Sequence, residues 1–71
     1  MSERNRIEWF EETPLRSLGR LILAGREVGL VTVFAVDERG GERWKWVHDG
    51  TFSERFDERE DAKEAAEDEL T

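Results

Sequence analysis

The sequence predicts an α+β domain: a small antiparallel sheet of three to four strands with one C-terminal helix packed on one face. Three observations carry this. Between residues 20 and 56, β-branched and aromatic residues alternate with polar ones, as half-buried strands require. Turn signals at Gly25-Arg26, Gly40-Gly41 and Asp49-Gly50 divide that stretch into hairpin-sized pieces. After Asp57 the apolar period changes from two to that of a helix.

Taken in order, residues 7–10 (Ile7-Glu8-Trp9-Phe10) read as an edge strand ended by Pro14, in preference to a frayed helical turn. Strands follow near 20–25, 28–36 and 42–48, with 51–56 as a short further one. Both faces of the 28–36 strand are apolar, because Val31, Val33 and Ala35 oppose Leu30, Thr32 and Phe34. In the 42–48 strand Trp44 and Trp46 share one face, while Arg43, Lys45 and Val47 share the other. Asp57, with Glu60 three residues on, reads as the N-cap of a helix over about 58–70 whose apolar stripe is Ala62, Ala65, Ala66 and Leu70. The expected core is Leu21, Leu23, Val31, Val33, Trp44, Trp46, Phe56, Ala62, Ala65 and Leu70.

Seventy-one residues make one domain, spanning 1–71. The absence of cysteine removes disulfides, thiolate metal sites and a thiol nucleophile, and fits a reducing cytoplasm. Neither a leader-like apolar run nor a stretch of the roughly 20 apolar residues that span a bilayer is present, so a cytoplasmic location is expected, that of the host cell if a phage encodes the chain. Eighteen acids against eleven bases give a net charge of −7, and residues 54–71 hold nine of those acids and three bases. A near-neutral body thus carries an acidic C-terminal end. Direct binding to nucleic acid or an anionic membrane is disfavoured, and a basic protein surface is the favoured partner.

Reaction chemistry finds little support. His48 stands beside Asp49, but strand neighbours face opposite sides of a sheet, so the pair does not form a proton relay. One histidine without cysteine gives transition metals few ligands, and Gly25-Arg26-Glu27-Val28-Gly29 lacks the ending of a phosphate-binding loop. No catalytic residue, metal site or cofactor is expected, and the chain reads as a non-enzyme. Trp44 and Trp46, interleaved with Arg43 and Lys45, outwardly resemble a base-stacking sheet; the preferred reading makes them core beneath an alanine-rich helix.

The acidic helix is the candidate site. Glu60–Glu64 and Glu64–Asp68 are like-charge pairs four residues apart, each destabilising by about 0.2–0.5 kcal/mol. Glu67, Asp68 and Glu69 crowd the helix C-terminus, where the macrodipole already disfavours negative charge. A face shaped for stability alone would mix signs. Glu60, Asp61, Glu64, Glu67 and Asp68 are therefore the expected partner-binding residues, with Glu54, Asp57 and Glu58 extending the row.

The motifs Gly25-Arg26-Glu27-Val28-Gly29-Leu30-Val31, Arg43-Trp44-Lys45-Trp46 and Ala62-Lys63-Glu64-Ala65-Ala66-Glu67 resemble those of small phage and mobile-element proteins with a sheet and a C-terminal helix. The likeness covers roughly residues 21–70 and extends to anti-CRISPR proteins of type I systems. It implies an acidic inhibitor that acts as a DNA mimic and binds a basic nucleic-acid-binding surface, with a CRISPR effector subunit as partner. No functional residue is carried over, since those proteins share no common signature. The alternative is a non-catalytic dimerisation or adaptor module that binds through an apolar sheet face; on either reading the chain is expected to be a monomer or weak homodimer.

Overall fold

Four turns fold five consecutive segments back on one another. The computed structural model describes residues 4–71; the first three residues of the N-terminus read above as lacking a leader lie outside them. The elements are β1 (Arg6–Thr13), β2 (Arg16–Leu23), β3 (Arg26–Glu38), β4 (Gly41–His48), β5 (Thr51–Phe52) and α1 (Arg59–Leu70). All five strands form one sheet in chain order, and every neighbouring pair is antiparallel. Short turns permit only this meander, because a parallel neighbour would need a long crossover.

The sheet has five strands rather than three to four. β1 is a full edge strand that runs past Phe10 to Thr13. β2 begins at Arg16, four residues before its expected start, because its first inward positions are Ser17 and Gly19, which give no apolar signal. β5 holds two residues instead of six. Phe56 instead meets β4 through a single bridge, in which it and Trp44 exchange two backbone hydrogen bonds of 2.8 Å. The turn placed at Gly25-Arg26 falls one residue earlier: Ala24 and Gly25 take φ of 54° and 77°. Asn5 Oδ1 secures it, accepting from the Ala24 N–H at 2.9 Å.

The helix starts one residue late, and its cap differs from expectation. Glu58 occupies the N-cap with extended backbone and no side-chain cap bond, while Asp57 faces Arg43 at 3.3 Å. Ion pairing thus takes the residue that would have capped. At the other end, the Thr71 N–H donates to the Glu67 carbonyl at 3.0 Å. No helix among the described residues is long and apolar enough to cross a membrane.

Ile7, Leu21, Val31, Val33, Trp44, Trp46, Ala62 and Ala66 form the buried cluster between sheet and helix, with Trp9, Leu23, Ala35, Phe56 and Leu70 packed at its margin. Strand parity then places Val31, Val33 and Ala35 under the helix, and Leu30, Thr32 and Phe34 on the opposite, uncovered face. Ala65 is not in the cluster. The helix is turned so that Ala62, Lys63 and Ala66 are its buried residues.

One glycine makes room for this arrangement. Gly19 pairs with Trp9 across β1 and β2, and a Cβ there would lie 2.5 Å from Ile7 Cγ2 and 2.8 Å from the Trp9 ring. The tryptophan lies flat over the space a side chain would fill. Gly19→Ala is expected to destabilise the fold by about 1–3 kcal/mol through overpacking. Chemical denaturation measures this; a neutral outcome would mean that Trp9 is free to lift away.

Candidate functional site: the acidic helix face

Local packing decides where the charges of α1 point. Its backbone lies nearest β3 and β4, and long side chains tie it to β1. Lys63 crosses that gap. It is only 8% exposed, its stem lying along the sheet while its Nζ donates to Glu11 Oε1 at 2.5 Å. Arg59 Nη1 donates to Glu11 Oε2 at 2.5 Å, and its Nη2 donates to the Pro14 carbonyl. Ser17 Oγ, fully buried, also donates to Glu11 Oε2, at 2.7 Å. Both cations stack on tryptophan: Arg59 lies 4.6 Å from the centre of the Trp44 ring and Lys63 lies 5.5 Å from that of Trp9.

Glu11 therefore gathers three donors, two of them cationic. The hydrogen bond from Lys63, then that from Ser17, then the charges of Lys63 and Arg59, lower its carboxyl pKa from 4.5 to about 2. The side chain is about half exposed, so solvent screens much of that attraction.

With Arg59 and Lys63 turned inward, the outward side of α1 carries acids alone. Asp61, Glu64 and Asp68 have no ion-pair partner among the described residues, and Glu60 meets Lys63 only at 3.8 Å. Asp61, Glu64 and Asp68, with Asp57, border a shallow groove of about 450 Å³ whose lining also includes Phe56, Ala65 and Arg55. Arg55 is engaged with Glu38 at 2.5 Å. A second groove of about 450 Å³ runs between Trp9 and the helix, bordered by Glu60, Lys63, Glu64 and Glu67. The expected row thus separates into two tracks that share Glu64. Glu67 is half-buried and accepts a hydrogen bond from Trp9 Nε1 at 3.4 Å, which gives it a structural task. Glu54 borders a smaller hollow of about 290 Å³ beside Phe52 and Glu69, and Glu58 stays exposed at the N-cap.

Carboxylates beside apolar side chains match one chemistry well. An arginine or lysine side chain placed in the first groove would set its stem against Phe56 and Ala65 and its charged end among Asp57, Asp61, Glu64 and Asp68. No three His, Asp or Glu side chains among the described residues converge to hold a metal ion. His48 is occupied with the backbone, its Nδ1 lying 3.0 Å from the Leu30 carbonyl oxygen. Trp44 and Trp46 are 7% and 6% exposed beneath the helix and present no ring to a base.

Sequence reasoning missed Glu11, Ser17 and the inward role of Arg59. A signal existed for Glu11: it shares strand parity with Ile7 and Trp9, and so had to face the helix. No family model, curated protein or solved structure matches this chain. What defines the protein is thus its own architecture, a five-stranded meander that presents a one-signed helix face.

The depressed pKa of Glu11 sets a pH dependence. Its contribution is complete above about pH 4.5 and is lost as pH falls through about 2. Glu11→Gln should lower stability by about 1 kcal/mol at neutral pH, the screened value of such a cluster, and the gap to the parent should close near pH 2. Denaturation curves across that range test it. A gap that does not vary with pH would mean that charge plays no part.

Proposed function

We propose that this chain is a non-catalytic acidic inhibitor that binds a groove lined by lysine and arginine on a nucleic-acid-binding protein, taking the place of the nucleic acid. The observation that carries the reading is the inward turn of Arg59 and Lys63 onto Glu11, which removes the helix's only cations from its outer surface. Residues 60, 64 and 68 repeat every four positions, so one carboxylate recurs about every 6 Å along the helix. Such a row faces groups that otherwise hold phosphates, and arginine pairs well with either. A basic subunit of a CRISPR effector complex is the partner that the sequence resemblance favours. The acids lie in like-charge spacing that weakens the isolated helix, which a role in solubility alone would not require.

The test neutralises the exposed acids together: Glu60→Gln, Asp61→Asn, Glu64→Gln and Asp68→Asn, sparing Glu67 because it holds Trp9. Each exposed charge pair is worth about 1 kcal/mol or less, so the effect is collective. The parent should displace labelled target DNA from a type I effector complex and bind an arginine-rich peptide, both weakening steeply with added salt. The folded quadruple variant should lose roughly ten- to hundred-fold in each assay. Undiminished displacement and peptide binding would refute the reading.

A further inference from the structure

The sheet face opposite the helix has no cover. A register row crosses all five strands on that face: Phe10 pairs with Leu18, Leu18 with Thr32, Thr32 with Val47 and Val47 with Phe52. Leu30 and Phe34 flank the row on β3, and Phe34 meets Phe52 edge to face with ring centres 6.3 Å apart. Phe10, Leu30 and Phe52 are 48%, 52% and 61% exposed. Scattered apolar residues on a surface need no explanation, but a contiguous patch of this kind marks an interface.

We infer that a second copy of this chain covers that face, giving a twofold β-sandwich with its two acidic helices outermost. Three observations select a copy over a different partner. The first is charge. On the same face, beside the apolar row, Arg6 pairs with Glu8 at 2.8 Å, Arg16 with Glu12 at 2.5 Å and Arg20 with Glu27 at 2.6 Å. Most charges on this face are thus paired within the chain, Lys45 over the Phe52 ring at 5.8 Å being an exception, so the face offers only a weak net field and suits an identical, nearly balanced face.

The second is area. Five strands about 4.8 Å apart, with three of them eight residues long, make a face of roughly 20 by 25 Å. The corrugation of side chains raises that footprint of about 500 Å² towards the roughly 800 Å² per partner that a standard interface buries.

The third is the place of the net charge. Two chains of −7 repel, but packing sheet to sheet puts the helices on the far sides. Layers about 10 Å apart separate them by about 30 Å, well past the Debye length of about 8 Å in physiological salt. The apolar faces then meet without the acidic faces meeting.

Sedimentation equilibrium of the full chain over a concentration series, in low and high salt, tests this. The apparent mass should rise from 8.3 kDa towards twice that value and should be no lower in high salt. Leu30→Lys should weaken the association at least ten-fold. Phe52→Lys, on a two-residue edge strand where the fold tolerates a charge, should do the same while the circular dichroism stays that of the parent. The quadruple helix variant should associate as the parent does, which keeps this inference separate from the proposed function. A strict monomer at millimolar concentration, association that dissolves in high salt, or a dimer indifferent to both lysine substitutions would overturn it.

Discussion

Ala62 and Ala66 let α1 approach the sheet closely, yet two alanine methyl groups remove little apolar area from water. The helix also starts without a side-chain cap and ends without a cation in its last turn. What fixes it is the meeting of Lys63, Arg59 and Ser17 on the Glu11 carboxylate, with Trp9 and Trp44 beneath the two cations. The bonds join β1, β2 and α1. Without that carboxylate, Lys63, a residue only 8% exposed, would keep Glu60 at 3.8 Å as its remaining acid partner, a costly arrangement. Gly19 belongs to the same device, because Trp9 reaches its place under Lys63 only where no Cβ intervenes.

From that contact follows the polarity of the molecule. Each cation drawn inward is subtracted from the outer side of the helix, so an inner attraction generates an outer charge imbalance. One broad surface becomes acidic and faces away from the sheet. The other carries an apolar row flanked by charges that are mostly paired. Their physics differ: charge acts at range and fades with salt, whereas apolar contact acts only at touching distance. A chain of 71 residues thereby holds two surfaces of different physical character back to back.

Much of the sheet was legible from its residues. Alternation around Trp44 and Trp46 gave β4 and its inward face, and Asp49-Gly50 gave its end, with both residues at positive φ as a tight hairpin needs. Other features were hidden for physical reasons. The inward positions at the start of β2 are serine and glycine, so its length escaped an apolar pattern, whereas Val31 and Val33 were rightly expected in the core although both faces of β3 are apolar. In the helix stripe Ala62, Ala66 and Leu70 pack as expected, but Ala65 stands outside the core and Lys63 lies within, because a lysine is treated as exposed by burial scales. The acidic character of the site was plain in composition. Its division into two grooves, and the withdrawal of Glu67 to hold Trp9, depended on helix rotation set by a pair 52 residues apart.

Glu11 holds the helix, while the sheet stands without it. Residue-resolved amide hydrogen exchange in Glu11→Gln measures this directly, since local opening and global unfolding leave different patterns. The predicted result is a selective loss of protection in the amides of α1, with the central strands β2, β3 and β4 exchanging as in the parent. Unchanged helix protection, or an equal loss across helix and sheet, would contradict it.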